Sequence, residues 1–484
     1  MPPGRQPVGG PSGHGLGLGR PVRGHPFHSP VRRPNLLMIT VDDARHLDMQ
    51  YMPHLKQLLA HQGVTLTNGM SPTPICVPAR ASLLTGQYAQ NHGALTISGI
   101  GGGVGSFNDA DTLPVWLKKA GYHTMFIGKY LNGYGQQDDP HYVPPGWDDW
   151  HATVDPSTYF FTHEKVNHNG HLSHHRTYTT TLLSRYCRQE LGSPRRQKKP
   201  WYMWVNYVAP HVGGPDHTVP STLDPHDRRP VKTTTPSRRD MGTFQWLKLP
   251  HTPDMFENPA DKVIIRRTHQ KWPPLRRAEL RQANQQRVEA LQAVDRALAR
   301  TVRTLRRTHQ LHRTYIVLTS DNGYVLGEHN ITGKLYYFRN IVGVPMYIRG
   351  PGLPHGYTSR TPVTNADWAP TFAALAGAHP TRSEDGVDVL PWLTRHVSAR
   401  MVPIEGWHVH GGTKPIYRGV VAGPWTYVQG QHHEAEMYDR TVDPWQNHNV
   451  IRDPRFQHQR HLLARMTRKD TRCAGHGCPH KFYR

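Results

Sequence analysis

Short runs of apolar residues, each ending in polar or ionisable side chains, alternate along this chain with segments whose apolar positions recur every three or four residues. NLLMITVDD (35–43) predicts a strand buried on both faces and closed by two carboxylates. MPHLKQLLAHQG (52–63) puts Leu55, Leu58 and Leu59 on one helical face, with Gly63 as its stop. DTLPVWLKKAGYHTMFIGK (111–129) repeats the scheme, with Asp111 as helix N-cap, Gly121 as stop and a strand ending near Lys129. WYMWVNYVAPH (201–211) is a further strand that delivers a histidine at its end. Val288, Leu291, Val294, Leu298, Val302 and Leu305 predict a long helix over about 275–310. TYIVLTSDNG (314–323) and GVPMYIRGPG (343–352) read as two more strands, and TNADWAPTFAALAG (364–377) as a helix starting near Asp367.

Strands alternating with helices predict an α/β fold with a mostly parallel central sheet flanked by helices. In such sheets ligands bind outside the carboxyl ends of the strands. Asp42, Lys129, His211 and Asp321 all fall there. After about residue 395 the pattern changes to two or three short strands around polar turns, then a helix near 454–467. This predicts a small C-terminal antiparallel subdomain over 396–467, following a main domain over 34–395. Residues 1–33 read as a flexible Gly/Pro/Arg-rich leader outside the fold, and 468–484 as a tail. Residues 213–272 lack periodicity and read as long loops over one face.

Composition narrows the class. With 36% hydrophobic residues, 12 Trp and 21 Tyr among 484, the chain is globular rather than disordered. No window approaches the roughly 18–20 apolar residues of a membrane span. The N-terminal stretch lacks an apolar signal-peptide core, so the chain as written reads as cytoplasmic. CAGHGCPH (473–480) points the other way, to secretion. Two cysteines and two histidines within eight residues crowd a tetrahedral zinc, which favours a Cys473–Cys478 disulfide over a metal site. The formal charge of +23 favours anionic partners. It is spread along the chain, with clusters in SPRRQKKP, PHDRRPVK and TPSRRD, and predicts no specific nucleic-acid surface.

Two sets of residues could carry chemistry. Asp42–Asp43 and Asp321–Asn322 close two predicted strands, and together could supply oxygen ligands to a hard cation such as calcium or magnesium. Taken singly, each pair could equally cap a turn. Cys76 opens CVPARASLLTG (76–86), a helical segment with Pro78 and Arg80 in its first turns. A helix N-terminus lowers a thiol pKa and favours anions, and Arg80 could clamp a tetrahedral one. An anion-binding thiol, a metal ligand and a structural cysteine all remain open on this evidence, and nothing directs His92 toward Cys76.

CVPARASLLTG resembles the signature of the sulfatase family of the alkaline-phosphatase-like superfamily, Cys-x-Pro-x-Arg followed by Leu-Thr-Gly. In order along the chain, PNLLMITVDD, GYHTMFIGKYLNGYG, VAPH and SDNGYVLGEHNITGKLYYFRNIVGVPMYIRGPG resemble further segments of that family. SEDGVDVLPWL and EMYDRTVDPWQNHN extend the likeness to about residue 449. KYLNGYG is nearest to the branch that includes N-acetylglucosamine-6-sulfatases. The resemblance implies an alkaline-phosphatase-like fold and a sulfuric ester hydrolase acting on a sulfated sugar or aryl sulfate. It implies that a separate formylglycine-generating enzyme converts Cys76 to Cα-formylglycine. A calcium ion (or magnesium) would be held by Asp42, Asp43, Asp321, Asn322 and residue 76. One hydroxyl of the hydrated aldehyde would attack sulfur, and the other would expel sulfate from the resulting ester. Arg80 would stabilise charge, Lys129 and Lys334 would neutralise sulfate oxygens, and His211 would protonate the leaving alkoxide. His329 reads as structural. The chain departs from the family at Leu131, where many members carry a histidine two positions after the lysine; Asn132 or another histidine would have to compensate.

Two competing readings remain. One is a phosphodiesterase or phosphonate monoester hydrolase on the same scaffold. The other is an unmatured, inactive anion-binding protein. The substrate pocket is expected from the loops at 99–110, 135–170 and 213–272.

Overall fold

The computed structural model describes residue 16 and residues 18–193, 199–213, 231–265, 272–412 and 414–484. Its central sheet has ten strands. From one edge to the other they are Tyr357–Thr364, Val64–Met70, Met346–Arg349, Thr314–Thr319, Asn35–Val41, Trp201–Tyr207, His123–Lys129, Asp149–Thr153, Glu164–His168 and His171–His175. Only Met346–Arg349 and Glu164–His168 run against the rest. The expected parallel core is therefore present, but GVPMYIRGPG enters it antiparallel, because it returns directly between Val64–Met70 and Thr314–Thr319.

Alternation along the strands sorts the core into two layers. Leu36, Met38, Tyr202 and Trp204 face one layer, with Val77, Leu84, Trp116 and Phe372 from helices Cys76–Thr85, Leu113–Lys119 and Trp368–Ala376. Leu37, Ile39, Met203 and Val205 face the other, against the long helix Pro274–Arg307 and helix Thr179–Gly192. Burial on both sides is why these strands read as unbroken apolar runs. MPHLKQLLAHQG forms a single α-turn, Pro53–Leu55, continued by a π-turn, Lys56–Ala60. Asp111 does not cap the helix that follows it. Thr112 is the N-cap, and Asp111 accepts the indole N–H of Trp116 instead.

The C-terminal part is a six-stranded antiparallel sheet. Ala399–Trp407, Pro415–Ala422, Trp425–Gly430 and Ala435–Asp439 form its body, one strand more than the two or three expected. Helix Gln457–Asp470 covers one face through Leu463, and the Tyr337–Val342 segment packs against the other. Phe482–Tyr483 pairs with Ala399–Arg400 on one side and with Pro21–Val22 on the other. The described part of 1–33 is thus docked rather than a free leader. Leu16 is buried in the cluster around Trp425, and Phe27 packs on the main core, because these few apolar side chains find cover there. Cys473 and Cys478 form a disulfide, and Asn91 and Asp385 hold its loop against the main domain. Residues 1–15, 194–198 and 214–230, with parts of the SPRRQKKP and PHDRRPVK clusters and of the expected 213–272 loops, lie outside the described residues, as do 266–271.

Candidate active site

The strand Asn35–Val41 ends at the carboxyl edge of the sheet, and Asp42 and Asp43 follow it, both completely buried. Neighbouring Thr314–Thr319 ends beside it, so Asp321 and Asn322 arrive at the same point. The Asp43 backbone N–H donates to Asp321 Oδ1 at 3.2 Å, and Asn322 Nδ2 donates to Asp43 Oδ1 at 2.6 Å. Asp43 turns with φ near 61°, a left-handed conformation that an aspartate tolerates better than a branched residue.

Helix Cys76–Thr85 is buried all round, which an amphipathic surface helix would not be. It carries Arg80 into the interior with no exposure. Arg80 Nε donates to Asp321 Oδ2 at 3.0 Å and Nη2 to Asp42 Oδ2 at 3.2 Å. Nη1 donates at 2.9 Å both to the Lys129 carbonyl and to Asn206 Oδ1. The guanidinium therefore joins two carboxylates rather than pointing into open space as an anion clamp. Its planar fork suits that task.

Lys129, the last residue of its strand, donates to Asp42 Oδ2, and its ammonium lies 5.0 Å from the Tyr159 ring centroid. Lys334 donates to Asp43 Oδ1 and lies 2.9 Å from Cys76 Sγ. Cys76 Sγ is also 3.7 Å from Asp42 Oδ1. His211 follows VAP at the end of Trp201–Tyr207. Its Nδ1 donates to the Val212 carbonyl, and its Nε2 lies 3.7 Å from Asp43 Oδ2.

Burial and charge compete at every one of these groups. Burial pushes Asp42 up, but Lys129, His211, Arg80 and Lys334 together hold it well below the usual carboxylate range. Asp43 is held down in the same way, chiefly by Lys334 and His211 against its own burial. Asp321 goes the other way, to about 6, through burial and the nearby Asp42 charge. Burial, then Asp42, push the Cys76 thiol up to about 12. Burial brings His211 down to about 4. Burial alone would lower Lys129 and Lys334, but Asp42 and Asp43 raise both.

The donor set fits a hard cation. Asp43 Oδ2 and Asn322 Oδ1 are buried without a hydrogen-bond partner, which costs free energy unless something positive faces them. Asp42, Asp43, Cys76 and His211 offer ligand atoms within 4.8 Å of one another. Carboxylate and amide oxygens are the ligands that calcium and magnesium prefer.

His92, which the sequence left without a direction, and His329, which reads as structural, both stand outside the cluster. His92 meets Ser82 Oγ at 3.2 Å inside the core, and burial brings it down to about 3. His329 stacks on Phe338 with ring centroids 3.7 Å apart and bonds Glu257. Leu131 is buried in the core, while Asn132 Nδ2 donates to the Tyr159 hydroxyl at 2.8 Å.

Three site residues were not anticipated. Tyr159 reaches Lys129 from a loop that carries no local signal. Asn206 is the polar residue in the otherwise apolar WYMWVNY, and Arg287 shares the buried stripe of Leu291 on the long helix. Both anomalies were visible in the sequence. Arg287 donates to the Asp43 and Pro210 carbonyls, which ties the end of the strand Asn35–Val41 to the His211 loop.

A family model described as Sulfatase matches residues 34–378. An extracellular sulfatase SULF-1 homolog of Drosophila melanogaster is 32% identical over 386 residues, covering 75% of this chain and 31% of the relative. Human N-acetylglucosamine-6-sulfatase is 29% identical, covering 75% of this chain and 65% of the relative. The chain thus spans less than two thirds of the length of these curated relatives. A solved protein bound to its substrate D-glucosamine-2-N,6-O-disulfate superposes with a TM-score of 0.75 at 20% identity, over 90% of this chain and 97% of that one. The phosphonate monoester hydrolase of Agrobacterium radiobacter superposes at 0.65 and 19% identity, over 90% and 93%. These two likenesses establish the alkaline-phosphatase-like fold. Because the family match runs unbroken through every segment that brings a side chain to the Cys76 cluster, the chain belongs to the sulfatase family.

Proposed function

We propose that this chain is a calcium- and formylglycine-dependent sulfuric ester hydrolase acting on a sulfated sugar. The observation that carries the reading is the convergence on residue 76, where carboxylates and two ammonium groups from separate segments meet one helix N-terminus and the guanidinium of Arg80 on that helix joins two of the carboxylates. The names of the relatives and the disulfated glucosamine of the structural neighbour support a sulfated sugar.

An unmodified thiol is poorly suited to attack. Near a pKa of about 12 it stays protonated at neutral pH. Conversion of Cys76 by a formylglycine-generating enzyme is therefore part of the proposal. When present, the cation would screen charge on the transferring group, and the hydrated aldehyde would supply a hydroxyl nucleophile. Asp42, Asp43, Asp321 and Asn322 would hold the cation with residue 76. Arg80 would keep Asp42 and Asp321 ionised and aimed. Lys129 and Lys334, held protonated by their carboxylates, would meet the sulfate oxygens. The Val212 carbonyl accepts from His211 Nδ1–H, so the neutral ring presents an unprotonated Nε2; to protonate the leaving oxygen it would first have to take up a proton at that atom.

Among the described residues no helix is long and apolar enough to cross a membrane. The extracellular relatives and the Cys473–Cys478 disulfide support secretion, against the cytoplasmic expectation.

Two measurements test the proposal on protein co-produced with a formylglycine-generating enzyme. The mass of the peptide containing residue 76 should show an aldehyde. Turnover of a 6-sulfated glucosamine should exceed that of matched phosphodiester and phosphonate monoester substrates. An active protein with an intact thiol, or a phosphodiester preference, would overturn it.

A further inference from the structure

A cleft separates the main sheet from the C-terminal sheet. Strand Val64–Met70 contributes Asn68, the Arg339–Val342 helix contributes Arg339, strand Trp425–Gly430 contributes Thr426, and the turn after Ala435–Asp439 contributes Arg440. His46 also lines it. Its residue surface is open, but its ring sits among protein atoms, and burial with the Arg339 charge brings it down to about 4, so at neutral pH it offers a neutral N–H donor. Among the described residues that line the cleft none is acidic. Arg400, also in the lining, is already paired with Asp367 at 2.7 Å. Among the described residues Arg339 and Arg440 have no carboxylate partner, and Arg440 spends Nε and Nη2 on the Pro424 and Gly423 carbonyls.

Burial, and then the neighbouring Arg339 charge, push the Arg440 guanidinium down to about 10. Two like charges facing one cleft with no counter-charge are unfavourable unless an anion joins them. Guanidinium groups are also the side chains best shaped to hold a tetrahedral oxyanion through paired N–H donors.

We propose that this cleft is a second oxyanion site, in which Arg339 and Arg440, assisted by His46, bind a sulfate or phosphate group that is not the one cleaved at residue 76. The cleft is built on segments that also run to the active site. His46 lies three residues beyond Asp43, Met70 six before Cys76, and Arg339 five beyond Lys334. The site goes beyond the hydrolase reading and does not depend on conversion of Cys76.

The shared chemistry could come from a free inorganic anion or from a sulfate on a longer glycan. Crystals of the full chain soaked in selenate, an anomalous scatterer, should show a peak between Arg339 and Arg440, separate from any peak at residue 76. Arg339→Ala and Arg440→Lys should each remove it; the second variant keeps the charge and packing if Arg440→Ala fails to fold. In solution, calorimetry with a sulfated hexasaccharide should show affinity falling about tenfold or more in both variants if the glycan is the source. If inorganic sulfate alone loses affinity, the free anion is the source. Selenate at residue 76 only, with unchanged affinity for both probes in both variants, would overturn the site. Absence of turnover with the cleft peak retained would count against the hydrolase reading and not against the cleft.

Discussion

Asp321 and Lys334 both touch the residue 76 cluster but do different work, and substitution should separate them. Asp321 receives Arg80 and the Asp43 backbone N–H, so its loss would dismantle the oxygen set proposed to hold the cation. Asp321→Ala is expected to lose calcium and turnover together, as read by metal analysis and kcat. Lys334→Ala is expected to keep calcium while kcat falls on the order of 10²–10³-fold. Because burial and Asp42 hold Asp321 up at about 6, it must release a proton to ligate. Calcium affinity should therefore weaken as pH falls through about 6. Calcium titrations at pH 5 and pH 7.5 check this; equal affinity at both would refute Asp321 as a ligand.

The strands whose apolar runs are complete were legible because both faces are buried. Five strands were missed: DWHAT, EKVNH and HLSHH form one side of the sheet, where His171 is exposed and periodicity is weak, and VTLTNGM and YTSRTPVT form the other, where polar residues interrupt the apolar pattern. Edge position, a property of the whole sheet, decides that such segments pair at all. Glu164 in this region is buried, with one oxygen bonded by Thr179 and the other unpaired, and burial pushes it up to about 8. The folded state therefore prefers it protonated. That stability is complete below the ordinary carboxyl pKa and is lost as pH rises through about 8. Glu164→Gln should gain stability relative to the parent by roughly 4–5 kcal/mol between pH 4 and pH 9, at about 1.4 kcal/mol per pKa unit. Urea melts at the two pH values measure it; a pH-independent difference would contradict the assignment.

The C-terminal sheet joins both ends of the described chain. Phe482 is fully buried, stacks on Trp392 with centroids 4.5 Å apart, and lies in the strand between Pro21–Val22 and Ala399–Arg400. Phe482→Ala should cost about 3–5 kcal/mol in chemical denaturation. It should also loosen the docked segment around Leu16, visible as faster hydrogen exchange at Val22. An unchanged midpoint would show that this two-strand clasp contributes little.

By itself the sequence determined the alternating α/β plan, the strand ends that carry Asp42, Lys129, His211 and Asp321, and the helix that opens at Cys76. Each of those is a local pattern: an apolar run of strand length, a polar residue at its end, a helical stretch after a proline. Only the tertiary structure decided that Arg80 joins Asp42 to Asp321, that Tyr159 faces Lys129, that His92 belongs to the core, and that Pro21–Val22 pair with the tail strand. These contacts depend on strand order and on which loops cross the sheet edge. Both are set by how two buried layers pack on one sheet, and no local window of sequence contains that information.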